Sequence, residues 1–325
     1  MSRVRFWRAI ALLGAILAGV VWLAWPEVGP VGLGLALATT AYPLLRAWRG
    51  ARGTALRAAV IWAVLATGLA IASQILAALE PVASGRPLAG HVAYLAVLAT
   101  LATLISVLNA RTPGGGAWAI LMALLVLVFL IPWLEAPGLA RRAHGLERLR
   151  LDAPWTLFYG LVVLAGVTNY LPTRYGRAGF CLAVGFVAEY LGLTHRPIGL
   201  PRGVLLASGF PWALALALWT ADRCSRQEPP ARSRLEATWL WFRDHWGVVW
   251  ALRVQERFNR TAEVQGWPVR LGWFGVAPEP GMELATPPEV SEAAESTLRG
   301  LLRRFAEPAR IDAVTGPCQS PDEVP

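Results

Sequence analysis

The chain contains no lysine: all thirty of its basic residues are arginine. Beside abundant alanine and glycine, that absence fits a GC-rich coding sequence and carries no mechanism. Cysteine is scarce too. Cys181, Cys224 and Cys318 are too few and too scattered for a disulfide framework, and no two share metal-ligand spacing. Charge is thin overall, at 16% of 325 residues, where a typical soluble globule carries about 25%. The +9 balance invites a nucleic-acid reading, but no basic stripe with interleaved stacking aromatics exists, so that class is set aside.

The motifs of chemistry are missing as well. Gly114-Gly115-Gly116 lacks the lysine of a phosphate loop and leads straight into an apolar run, so it reads as a turn. There is no Gly-x-Ser-x-Gly elbow, no His-Glu-x-x-His pair and no aspartate cluster to hold magnesium on a lipid pyrophosphate. No cofactor is expected.

What is present is hydrophobic sequence, 55% of the chain, concentrated in the first 222 residues. A span across a bilayer needs about 20 apolar residues, with about 17–25 tolerated. Eight runs are expected to serve: 9–25, 31–45, 58–79, 91–108, 117–134, 155–171, 178–193 and 203–219. Arg3, Arg5 and Arg8 ahead of the first run resemble a signal peptide, but no small-x-small cleavage site follows, so it reads as an uncleaved span. Tryptophans near the run ends, such as Trp48, Trp133, Trp155 and Trp219, fit an interfacial belt. The expected fold is an all-α polytopic bundle with a small α+β or helical cytoplasmic tail domain over 223–315, and a disordered end at 316–325.

Arginine counts set the expected orientation. With the N-terminus inside, the inner loops hold fourteen arginines: 3, 5, 8, 46, 49, 52, 57, 111, 174, 177, 223, 226, 232 and 234. The outer loops hold seven: 86, 141, 142, 148, 150, 196 and 202. Both termini are therefore expected to be cytoplasmic, in a plasma (inner) membrane. The outer loop 137–154 repeats leucine and alanine at helical spacing, which suits a helix lying on the interface or, equally, a solvated loop.

In the tail, Leu235, Trp239, Phe242, Trp246 and Val249 form one helical stripe within 233–264, with a second patch at Trp241, Val248 and Leu252. A helix so rich in tryptophan beside a membrane is expected to lie on it or pack beneath the bundle. Pro268–Phe274 alternates like a strand, and Thr286-Pro287-Pro288-Glu289 opens a helix with apolar Val290, Ala294, Leu298, Leu301 and Phe305. Pro308 should end it, and Arg310–Val314 would add a strand, completing a small βαβ unit.

Three groups of polar residues are candidates for function. Glu189 lies in a span among residues that suit lipid, and Ala178, Cys181, Gly185 and Gly192 share its face, so it points into the bundle. Gln74, with Ser73 beside it, lies at similar depth on a parallel span and is the expected partner. The competing reading sends Glu189 to Arg196 or Arg202 at the outer interface. At the inner surface Asn169, Arg174 and Arg177 crowd the turn around Pro172, either as structural capping of a tight hairpin or as an anion or headgroup site. His91, His144 and His195 fall on the outer face, where a metal or haem set competes with chance scatter; His245 is expected to be solvated in the tail helix. No metal site is otherwise expected.

The leading functional expectation is a membrane scaffold or assembly component, with the bilayer as one partner and a protein docked on the tail as another. A transporter or permease subunit using Glu189 and Gln74 is the alternative, and a membrane-embedded lipid-acting enzyme is a further one.

Overall fold

The computed structural model describes residues 29–80, 87–108, 116–143, 151–194, 204–227, 231–278 and 288–314. The chain is mostly helical with one small two-stranded sheet. Among the described residues eight helices precede the tail: α1 Gly29–Thr39, α2 Ala41–Gly50, α3 Arg57–Leu79, α4 Pro87–Leu108, α5 Gly116–Ala143, α6 Ala153–Thr168, α7 Gly176–Thr194 and α8 Val204–Arg226. The tail adds α9 Arg234–Gln265, β1 Val269–Gly272, β2 Gly275–Pro278, α10 Pro288–Leu302 and α11 Pro308–Val314. Among the described residues two stretches, Arg57–Leu79 and Leu88–Leu108, are long and apolar enough to cross a membrane by length and composition.

The helices match the apolar runs, with two informative differences; run 9–25 lies outside the described residues. Run 31–45 is not one helix. It breaks at Thr40, because Pro43 has no N–H to offer the Thr39 carbonyl, and Thr40 instead makes a tight turn through Thr40 N–H to Leu37 O at 2.9 Å. The Trp219 indole N–H then donates to the Thr39 hydroxyl at 3.1 Å and ties the broken helix to α8. Run 117–134 is extended instead: α5 continues without interruption to Ala143, so the first half of the supposed interfacial loop prolongs this helix. The rest of that loop, 144–150, lies outside the described residues.

Two separate cores hold the molecule. The first joins α1 and α3 to α8 around Leu37, Ala70, Tyr94, Val97, Phe186 and Phe210. Close approach is paid in small side chains: a Cβ on Gly185 would sit 2.5 Å from that of Ala213, and one on Gly209 would sit 2.7 Å from that of Ala188. The second core is the tail's own, built from Trp239, Phe242, Trp246, Trp250, Phe258, Leu298 and Phe305.

Helix α9 starts where Ser233 caps it, its hydroxyl accepting from Glu236 N–H at 3.1 Å. It is bent at Gly247, which has φ 75° and ψ −171°. The bend shifts the phase of the apolar stripe. Before it, Leu235, Trp239, Phe242 and Trp246 are buried as their spacing predicts; after it, Trp250, Val254 and Phe258 take over, and Val249 turns outward.

The expected βαβ unit is not formed. β1 pairs antiparallel with β2 through the two-residue turn Trp273-Phe274, with Gly272 opposite Gly275. Arg310–Val314 is helical, since Pro308 suits a first helical position and the Glu307 carbonyl accepts from both Arg310 and Ile311. α10 begins at Pro288 as expected but ends at Leu302, before Pro308.

The tail touches one end of the helices at three places. Gly53 and Ala55 in the α2–α3 connection hydrogen-bond Glu307 and Phe305. The Trp250 indole caps the last carbonyls of α4, Val107 and Leu108, at 3.1 and 2.9 Å. The α6–α7 turn meets α9 and the turn between β1 and β2, and Arg174 reaches Gln227 O at 3.4 Å, beside the exit of α8.

Candidate functional site

The α6–α7 turn and the bend of α9 form the most polar buried region described. Gly247 interrupts the helical hydrogen bonding of α9 and strands backbone groups on either side. Asn169, just past α6, fills the gap three ways. Its Oδ1 accepts from Val249 N–H at 3.0 Å, its own carbonyl accepts from Val248 N–H at 2.9 Å, and its Nδ2 donates to Trp246 O at 3.3 Å. The fit requires glycine: a Cβ at 247 would lie 2.6 Å from both Asn169 Cγ and its carbonyl oxygen. Sequence reasoning expected Asn169 to serve carbonyls of its own hairpin; it serves the tail instead.

Beside this plug, Asp244 is fully buried and holds two arginines. Arg243 engages Oδ1 with Nε at 2.9 Å and Nη2 at 2.7 Å, and Arg174 approaches Oδ2 with Nε at 3.3 Å. Arg243 also donates to Trp273 O, and its guanidinium sits 5.5 Å from that indole's centroid. Arg174 is therefore engaged by the tail. Arg177, three residues on, is exposed.

His245 is packed here, not solvated as its sequence position suggested. Its Nδ1 lies 2.8 Å from Trp241 O and its Nε2 lies 3.4 Å from the Tyr175 hydroxyl. Loss of water around the ring, reinforced by the nearby Arg174, lowers its pKa to about 4, so the neutral imidazole is the folded form at neutral pH. Burial raises the Tyr175 phenol. Asp244, Gly247 and His245 were missed as functional positions. The available signals were a glycine inside a strongly periodic helix and an Arg-Asp-His run interrupting its tryptophan stripe.

The second constellation lies between α4, α6 and α7. Glu189 is half-buried in the neighbourhood of Tyr94 and Tyr159. Both tyrosines are fully buried and anchored to helix carbonyls, Tyr94 to Phe129 O at 2.9 Å and Tyr159 to Phe186 O at 3.2 Å. Tyr190 stacks on Tyr159 with centroids 6.2 Å apart. Glu189 is not joined to its expected partner. Gln74 faces α1, its Cβ near Gly34, and donates to the Ser73 hydroxyl at 3.2 Å, while Ser73 donates to Ala70 O. Arg196 and Arg202 lie outside the described residues, as do His144 and His195; His91 is buried in α4. Among the described residues no group of three or more His, Cys, Asp or Glu could hold a metal ion.

No protein-family model, curated protein or solved structure matches the chain.

Proposed function

We propose that the chain is a polytopic plasma-membrane protein that acts as a scaffold or assembly component, its C-terminal module clamped on the cytoplasmic ends of the helices. The observation that carries this reading is the interlock at Asn169 and Gly247. Main-chain groups of the tail are completed by a side chain of the helical domain, so the two parts present one rigid inner surface, as a docking platform needs.

The surfaces of the helices support a bilayer setting. On α6, Leu157, Leu161 and Leu164 recur at helical spacing and are 56–67% exposed. On α7, Phe180, Val184 and Val187 form a similar stripe. Contiguous apolar faces of this kind are a liability in water and suit lipid. Orientation is supported by the tail contacts, because all three places it touches are ends that the arginine count assigns to the inside.

Cysteines introduced at Ala143 and Ser291 in a cysteine-free background test the topology. An impermeant thiol reagent should reach them from opposite sides; labelling of both from the same side of intact cells refutes the eight-span arrangement. The scaffold role is tested by purifying the full chain in mild detergent and quantifying what accompanies it. A stoichiometric protein that is lost from the Gly247→Ala variant supports the platform, whereas a bound small molecule or lipid intermediate with no protein partner argues against it.

Glu189 supports a second reading, as a transporter or permease subunit. An ionisable group placed among two buried tyrosines within an apolar helix is expensive to keep and marks substrate or proton pathways in other membrane proteins. Comparing Glu189→Gln with Glu189→Ala separates the readings: folded yield retained by Gln with transport lost assigns a functional charge, and wild-type behaviour of both removes it.

A further inference from the structure

We infer that the tip of the tail hairpin, Trp273-Phe274, is a membrane anchor that enters the inner leaflet beside an anionic phospholipid headgroup held by Arg177. The inference rests on the membrane reading above and goes further, because it gives the tail its own contact with lipid.

Phe274 is 90% exposed, although the rest of the hairpin is tied down. The register of β1 and β2 leaves only Trp273 and Phe274 in the turn. Trp273 is fixed from two sides, by Arg243 on its carbonyl and ring and by its own indole N–H donating to Pro172 O at 3.1 Å. Pro172 belongs to the turn between α6 and α7, where these helices reach the inner surface. The tip is thus held at the depth of that turn, next to Leu171, which is itself exposed. A phenylalanine fixed there with no protein cover would cost free energy in water and gain it in the headgroup–acyl boundary.

The charge at the start of α7, just past that turn, is complementary to an anionic lipid. Arg177 is exposed in the first turn of α7 and has no acidic partner among the described residues. At 100° per residue it falls on the same face as Phe180, Val184 and Val187, directly inward of that apolar stripe. A cation at the inner end of a lipid-facing stripe is where a phosphodiester lies. Val249 and Leu252, just after the bend of α9, are further exposed apolar residues of the tail.

The test uses the full chain with the photoreactive analogue benzoylphenylalanine at position 274, reconstituted in vesicles of equal parts phosphatidylcholine and phosphatidylglycerol. Position 184 serves as the reference within the apolar stripe. Phospholipid adducts at both positions are expected, with phosphatidylglycerol several-fold enriched at 274, and Arg177→Gln should reduce that enrichment towards the bulk ratio. Adducts at 184 but not at 274 overturn the anchor while leaving the membrane reading intact. Absence of adducts at both overturns the membrane reading itself, and enrichment unchanged by Arg177→Gln overturns the headgroup assignment.

Discussion

Replacing Gly247 by alanine attacks the join between the tail and the helices at its narrowest point. The native φ of 75° with ψ of −171° lies in a region that is essentially glycine-only, and forcing a side chain into it costs about 1–3 kcal/mol. The new methyl would also collide with Asn169, whose Cγ and carbonyl oxygen are each 2.6 Å from the Cβ position. Asn169 must then withdraw, abandoning Val249 N–H and Trp246 O. Each buried backbone group left unsatisfied costs about 1–3 kcal/mol. The sum, about 3–9 kcal/mol, is comparable with the whole stability of a domain, about 5–15 kcal/mol. Opening of the join, not global unfolding, is the cheaper escape.

Hydrogen exchange reads that opening directly. The Val248 and Val249 amides should exchange at least about 100-fold faster in the variant, since 3 kcal/mol is roughly two factors of ten. Asn169→Ala should reproduce much of the effect without the backbone strain. Gly266 supplies the control: it has φ 66°, yet nothing lies within 4 Å of its Cβ position, so Gly266→Ala should show strain alone and leave the 248–249 amides protected. If Gly247→Ala and Gly266→Ala are equally mild and exchange at the join is unchanged, the plug does not hold the tail.

Asp244→Asn keeps the shape but leaves Arg174 and Arg243 without their shared anion; breaking such a buried pair costs about 3–5 kcal/mol, and the partial exposure of Arg174 puts the expected loss at the lower end, read from thermal unfolding in detergent. His245 titrates near 4 in the folded chain, below its ordinary value of 6.5, so its contribution is complete above about pH 6.5 and is lost as pH falls towards 4; His245→Gln should flatten that part of the stability profile. Trp250→Phe removes the indole cap from Val107 O and Leu108 O and should cost about 1 kcal/mol, with faster exchange confined to the end of α4 and its contact with α9.

Much of the helix layout could be read from hydrophobic run length, because a long apolar run has few ways to satisfy its backbone except as a helix. Ser233–Val264 was similarly clear from its periodicity. What failed were places where a single residue overrides the pattern. Pro43 splits a run that hydropathy treats as continuous, and Gly247 turns Val249 outward although its spacing matches the stripe. Arg310–Val314 is too short for period to separate strand from helix, and β1 found its partner in the adjacent residues. Among candidate sites, the crowding of polar residues near Pro172 was visible, but its purpose was not. Asn169 and Arg174 take partners 77 to 80 and 70 residues away in the tail, and no local spacing encodes such pairs. Glu189 was recognisable as costly, yet its neighbours Tyr94 and Tyr159 come from two other helices whose rotation the sequence leaves free.

The same contacts explain why the tail is not merely tethered. A module held by surface ion pairs alone would gain about 0–1 kcal/mol from each and could drift with ionic strength. Here the attachment runs through main-chain hydrogen bonds at Val248 and Val249, through an aspartate shielded from solvent, and through indole N–H groups from Trp250 on the helix-end carbonyls of α4 and from Trp273 on a carbonyl of the α6–α7 turn. Neutral hydrogen bonds of this kind are insensitive to salt, and the charged ones are withdrawn from it. Each also uses a carbonyl or amide that a helix end or a bend would otherwise leave bare, so the helical domain and the tail complete one another's backbone. Separation would expose unsatisfied groups on both sides, which is why the two parts should melt in a single transition, with 1 M salt leaving its midpoint nearly unmoved; two resolved transitions would show that the join contributes little.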